Sequence, residues 1–236
     1  IITHDLQSPL RFLSSAMDRM HEKTREENPA MLDLSDELRK TSANIHRFVE
    51  DFGLWIKKVN ISGNMHNEPV NIYDLLNEMH IFFGQLQKTR NNTLVLEASP
   101  EIFVCSDYQL LKIILRNIID NANKHTRGGA IHVKLTTENE NAIIKVSDTG
   151  SGMKPEMLQR IRRYTQQQSS FKYGNETDGV GFGYRFVTDF CRMLNIQIHI
   201  ESAYGHGTTV TFSNLNICQP PVNTAKSTSK TITHAN

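Results

Sequence analysis

Three groups of residues could do chemistry together. Asp148-Thr149-Gly150-Ser151-Gly152 follows an apolar run, Ala142 to Val146, that reads as a buried strand. A strand ending this way presents a carboxylate beside bare backbone. The carboxylate can accept from an amine, and the glycines would let a flat polar heterocycle approach. Gly179-Val180-Gly181-Phe182-Gly183 opens a second stretch, Tyr184 to Leu194, that reads as a helix. Free N–H groups and the positive dipole end at such a helix start suit phosphates. Upstream, Asn117, Asn121 and Lys124 recur at i, i+4 and i+7 on a long predicted helix, Asp107 to His125, opposite its apolar side. The ordinary reading of that stripe is a solvated face, and for Asn117 that alternative stays open beside the functional one. For Asn121 and Lys124 the chemistry is more specific: an amide oxygen is a hard ligand suited to Mg²⁺, and a lysine can neutralise phosphate. A base, phosphates and a metal together point to a nucleotide. Asp-x-Gly-x-Gly alone is also an ordinary turn, so the order and spacing of the three groups carry the weight.

A fourth candidate stands at the start of the chain. His4 lies two residues before Leu6, roughly 200° round a helix at about 100° per residue, and so points away from the apolar seam. A lone histidine there would be solvated surface. Its neighbours alter that reading: Asp5 can orient the ring or take its proton, and Ser8 lies one turn on, on the same face. Pro9 breaks a helical hydrogen bond in the middle of the pattern, at a cost of about 3 kcal/mol, which argues that local shape beside His4 matters.

The elements that must position these groups fall into two regions. In residues 1–62, Leu6, Leu10, Leu13, Met17 and Met20 are spaced 4, 3, 4, 3. After a turn from Thr24 to Pro29, the seam Leu34, Leu38, Thr41, Ile45, Phe48, Phe52, Trp55, Val59 continues the heptad pattern. Two such helices form an antiparallel hairpin, and two hairpins would bury the stripe as a four-helix bundle; the weaker alternative is that the two helices pack against the domain that follows. A linker over 63–69 leads to a second domain over 70–216. There we expect helices over Ile72–Leu86, Asp107–His125, Pro155–Arg163 and Tyr184–Leu194. Strands are expected at Thr93–Ala98, Ile102–Cys105, Ala130–Thr136, Ala142–Val146, Ile196–Glu201 and Thr208–Phe212, the last two a hairpin around Gly205-His206-Gly207. Tyr164 to Asp178 reads as a mobile polar loop and residues 217–236 as a disordered tail.

Composition narrows the classes. A net charge of +1 implies no polyanionic partner such as nucleic acid. The three cysteines show no metal-ligand spacing and suit a reducing compartment. No apolar run nears the roughly 18 residues of a membrane span, so no membrane contact by this stretch is expected, and a cytoplasmic location is. The chain opens on Ile1-Ile2-Thr3-His4 without a methionine, as a fragment of a longer protein would.

With these residues in order, the chain resembles a sensor histidine kinase over residues 1–216. Thr3-His4-Asp5-Leu6-Gln7-Ser8-Pro9-Leu10 is similar to that family's phosphoacceptor motif, and Leu115 to Thr126 to its asparagine motif. The Asp148, Gly179 and Gly205-His206-Gly207-Thr208-Thr209 stretches resemble its glycine motifs. The resemblance implies an all-α hairpin followed by an α/β sandwich ATP-binding domain of the Bergerat type. It implies ATP and Mg²⁺ as cofactors, with Asn121 on the metal, Lys124 on phosphate, His125 near the sugar and Asp148 on the adenine amine. Gly150, Gly152, Gly179, Gly181, Gly183, Thr208 and Asn117 complete the site. His4, helped by Asp5, would accept phosphate and pass it to a response regulator, within a homodimer. Ser8, where the family usually has Thr or Asn, would support only a weak phosphatase activity. Ile161 and Tyr164 replace the two phenylalanines usual after the first glycine motif. An ATP-gated machine of the gyrase or chaperone kind shares the ATP fold but needs no acceptor histidine. A phosphotransfer scaffold with an inactive ATP fold would not need Asn121, Asp148 and the glycines together.

Overall fold

The computed structural model describes residues 67–166 and 182–221, and before them helical positions Asp18, Ser35, Leu38, Ser42, Ile45, His46, 49–54 and 56. Every described position before residue 57 is helical. The hairpin as a whole, its turn and its dimer face lie outside the described residues.

In the second domain, β1 (Glu68–Asn71) leads into α1 (Ile72–Arg90). Asn71 caps α1 by accepting from the Asp74 amide. The helix outruns the expected Leu86, because Lys88 and Arg90 favour its last turn and Asn91, at φ 58°, ends it. β2 (Thr93–Glu97) and β3 (Phe103–Ser106) precede α2 (Tyr108–His125). Asp107 starts α2 by accepting from the amides of Gln109 and Leu110. Buried Leu110, Leu111, Ile114, Leu115, Ile118, Ile119 and Ala122 form one stripe of α2, at the three-and-four spacing of an amphipathic helix. β4 (Ala130–Glu138) and β5 (Asn141–Asp148) form a hairpin whose two turn residues, Asn139 and Glu140, both have positive φ. Then follow α3 (Pro155–Gln166), α4 (Phe182–Met193), β6 (Gln197–Ser202) and β7 (Thr208–Cys218).

The sheet runs β1-β3-β7-β5-β4-β2, with β6 also on β7. Only β2 and β4 pair in parallel; the other pairs are antiparallel. One face of the sheet, including Ile131, Ile144 and Phe212, packs with Ile114, Leu115, Ile119 and Phe190 of the helices into a single core. Exposed His132, Lys134 and Lys145 mark the opposite face. The domain is therefore the expected α/β sandwich.

Its limits are wider than the sequence suggested. β1 begins inside the stretch read as linker. Pro69 is admissible there because β1 is an edge strand that pairs only with β3. β7 runs past residue 216, with Ile217 and Cys218 pairing to Val104 and Phe103. A register shift opposite Asn214, at φ 66°, interrupts its alternation and hid the second half of the strand. α3 reaches Gln166, three residues into the stretch expected to be loop. The remainder of that loop and the tail beyond residue 221 fall outside the described residues.

The helix before the domain touches it. Phe52, a seam position, and Leu54 pack against the domain core, and Arg116 of α2 holds the buried Asp51 at 2.5 Å.

The β6–β7 turn ties this framework to Asp148. Gly205 and Gly207 share a φ of 82°. A Cβ on Gly205 would meet nothing within 4 Å, whereas one on Gly207 would lie 1.9 Å from the Asp148 carbonyl oxygen. Gly205→Ala should therefore cost only left-handed strain, about 1–2 kcal/mol. Gly207→Ala adds a clash with backbone and should cost on the order of 3 kcal/mol or more. Denaturant unfolding of the two variants checks this, and equal losses would contradict the close approach of the two segments.

Candidate nucleotide site

Asp148 is the last residue of the interior strand β5, and the turn after it meets the C-terminal end of α2. Its Oδ1 accepts from the Gly150 amide at 2.9 Å and the Thr208 amide at 3.3 Å. Oδ2 is thus the oxygen with capacity for a ligand amine. Burial pushes the carboxyl above its ordinary range, against the two amides and the nearby His125, which pull it down. The charge sits in a partly dry place with its direction fixed.

What fixes it is a knot of three chain segments. Ser151 donates its amide to the His125 carbonyl, and Gly205 donates to the Ser151 carbonyl at 2.7 Å. The Ser202 hydroxyl donates to the Gly207 carbonyl and accepts from the Met153 amide at 2.8 Å. It therefore receives the Thr208 hydroxyl, 3.0 Å away. A Cβ on Gly150 would lie 2.4 Å from the His125 carbonyl oxygen, and one on Gly152 2.0 Å from that of Ala203. From the sequence alone these glycines are expected to leave room for a ligand. The structure fills the space with protein backbone, so their first task is to let the three segments interlock.

Beside this knot is a cavity of about 400 Å³, with Asn121, His125, Asp148, Gly152, Tyr184 and Thr208 among its walls. Ile118, Ala122, Val146 and Val210 give it an apolar lining. The long helix, the Asp148 strand and the last strand thus meet at one cavity. Asn121 faces the start of α4, its amide nitrogen 3.9 Å from where a Cβ on Gly183 would be. Asn117 is not a wall of the cavity. Its amide nitrogen donates to the Ile113 carbonyl, and its oxygen is 3.1 Å from the same Gly183 position, so it packs where α2 crosses α4. Lys124 is not a wall either: its ammonium, well exposed, is held by Asp120 at 2.7 Å. His4, Asp5, Ser8, Gly179 and Gly181 lie outside the described residues.

Several walls were missed from the sequence. Met153, Met157 and Ile161 line the cavity; the last two lie on α3, whose apolar side could have been read from Met157, Leu158 and Ile161. Tyr184 follows the last glycine of its run and opens into the same space. Tyr164, replacing a phenylalanine, has a different use. Guanidinium groups of Arg185 and Arg192 lie 5.7 and 5.4 Å from its ring centre. Arg192 also bonds the Tyr164 carbonyl and Asp189. This cluster joins the end of α3 to α4 and so helps to place Tyr184.

Residues 106–217 match the family described as histidine kinase-, DNA gyrase B-, and HSP90-like ATPase. Phosphate regulon sensor protein PhoR of Pseudomonas aeruginosa is 24% identical over 211 residues, 89% of this chain and 47% of PhoR. Adaptive-response sensory kinase SasA of Synechocystis sp. is 26% identical over 223 residues, 90% of this chain and 57% of SasA. The chain spans about half the length of these relatives. Among solved structures, full-length ShkA in complex with AMPPNP superposes with a TM-score of 0.65 at 19% identity, over 93% of this chain and 45% of ShkA. Acinetobacter baumannii histidine kinase AdeS gives 0.59 at 15% identity, over 91% of this chain and 98% of AdeS. These two likenesses concern the fold.

The raised carboxyl of Asp148 has a consequence for stability. The folded state holds its proton to higher pH than the unfolded chain does. Stability from this group is therefore greatest below the unfolded value and falls as pH rises through the folded one. Asp148→Asn keeps an acceptor for the two amides and removes the buried charge. It should raise the melting temperature at pH 7 while weakening ATP binding by roughly 1.5–3 kcal/mol, the range for a bond to a charged group. Thermal unfolding and calorimetry together check this, and a variant both less stable and unchanged in ATP affinity would contradict the assignment.

Proposed function

Residues 106–217 form an ATP-binding histidine-kinase catalytic domain, homologous to those of bacterial sensor histidine kinases, and from that premise we propose that the chain phosphorylates His4. The observation that carries this reading is the oriented, half-dry carboxylate of Asp148 in a cavity shared with Asn121. A carboxylate so placed suits an exocyclic amine, and Asn121 at the other end suits the phosphates and their metal.

The residues fit Mg²⁺ as a guest of the nucleotide. Among the described residues no group of three or more His, Cys, Asp or Glu side chains could hold a metal unaided. Mg²⁺ is often held by one or two protein oxygens plus substrate phosphates, and the Asn121 amide oxygen is such a ligand. The ion, when bound, would offset charge on the phosphates. Asp148 selects and orients the base, and His125, an exposed wall of the cavity, would meet the sugar. Lys124 could reach a phosphate only by leaving Asp120.

In the transfer, a ring nitrogen of His4 attacks the γ-phosphorus in line. The nitrogen–phosphorus bond forms as the bond to the bridging oxygen breaks, and ADP leaves with the electron pair. Asp5 orients the imidazole and takes its proton. Catalysis is mostly positioning and charge stabilisation. Phosphohistidine then donates to an aspartate of a response regulator. The exposed seam residues Leu38 and Ile45 suit a second copy of the hairpin, hence a homodimer. ATP places this part of the protein in the cytoplasm; among the described residues no helix is long and apolar enough to cross a membrane.

His4→Gln should abolish acid-labile, base-stable label from γ-labelled ATP while leaving ATP affinity nearly unchanged, since the acceptor and the cavity lie in different domains. Label that persists on the variant would put the acceptor elsewhere. Ser8 has a short hydroxyl without the methyl that restricts threonine, so water aimed at the regulator's phosphoaspartate would be loosely held. Ser8→Thr should speed phosphate loss from the purified phospho-regulator, and an unchanged rate would reduce Ser8 to a small residue tolerated before Pro9.

A further inference from the structure

Few polar groups in the cavity are left for the base itself. Asp148 spends Oδ1 on the Gly150 and Thr208 amides. The Thr208 hydroxyl is held by Ser202 at 3.0 Å. His125 and Lys154 are exposed at the rim. Asn121 lies toward the start of α4. Of the lining side chains that carry a polar group, Asp148 and Tyr184 remain.

Tyr184 enters from the first turn of α4, directly after Gly183, packs against the core and is a wall of the cavity. Its backbone is fixed by the Thr188 hydroxyl, which donates to the Tyr184 carbonyl at 2.8 Å, and α4 is tied to α3 by the Tyr164 cluster. Burial, with the negative charge of Asp148 adding to it, keeps the phenol protonated well above its ordinary range. The hydroxyl is thus a donor near a carboxylate acceptor.

We propose that Tyr184 is a second reader of the base, its hydroxyl donating to the ring nitrogen N1 while Asp148 accepts from the neighbouring 6-amino group. This inference rests on the nucleotide reading above. Adenine presents a donor at position 6 beside an acceptor at N1. Guanine presents the reverse, an acceptor oxygen beside an N1–H donor. An acceptor-plus-donor pair in the protein therefore matches one purine and opposes the other at both positions. The pair also links the base pocket to the glycine run, because Tyr184 is the residue that follows it.

The test compares ATP with 1-deaza-ATP, which lacks N1 but keeps the 6-amino group, on the wild-type chain and on Tyr184→Phe. Removing one neutral hydrogen bond should weaken ATP binding about threefold to tenfold. The wild type should bind 1-deaza-ATP more weakly than ATP by a similar factor, and Tyr184→Phe should bind the two alike. Equal losses on both nucleotides in Tyr184→Phe, or no loss on either, would overturn the role of the hydroxyl and leave the ring as packing. Equal affinity of the wild type for ATP and 1-deaza-ATP would overturn it without the variant. Wild-type chain that binds neither nucleotide would overturn the nucleotide reading itself, and with it this inference.

Discussion

The geometry of this domain depends on a close backbone contact around Asp148. The end of α2, the turn after β5 and the β6–β7 turn approach so nearly that side chains are excluded at Gly150, Gly152 and Gly207. Three carbonyls, those of His125, Ser151 and Gly207, are paired within the knot. The carboxylate of Asp148 is held by amides from two of these segments. Its direction is thus set by backbone rather than by a flexible partner, and a ligand finds it already oriented. Such preorganisation lowers the cost of binding.

Holding the charge there has a cost that the rest of the fold absorbs. Burial opposes ionisation of Asp148, and the two amides recover only part of that. The core of α2, β5 and β7 supplies the surplus through residues such as Ile119, Ile144 and Phe212, which are fully buried. The stripe of α2 that buries Ile118 and Ala122 also turns Asn121 into the cavity, so one helix serves packing and ligand at once. α4 performs a similar double duty: Phe186 and Phe190 enter the core while Tyr184 faces the cavity.

Much of this was legible in the chain. The strand ending at Asp148, the Asn121 stripe and the α/β alternation follow from local pattern, and the pattern is local because each element must bury one side. What was illegible depended on distant partners. The glycines were read as space for a ligand, since nothing in a linear sequence shows that Ala203 or His125 lies against them. A nearer partner matters at Lys124, whose ammonium pairs with Asp120 one turn back. β1 was hidden by Pro69, and the second half of β7 by the irregularity at Asn214. The walls supplied by Met153, Met157 and Tyr184 come from segments that meet only in the folded chain.

The decisive measurement is a structure of the chain with a non-hydrolysable ATP analogue. The base is expected in the cavity, its 6-amino nitrogen about 3 Å from Asp148 Oδ2, and the phosphates toward Asn121 and the start of α4. A base turned with its amine to solvent, or a nucleotide seated away from Asp148, would contradict that placement.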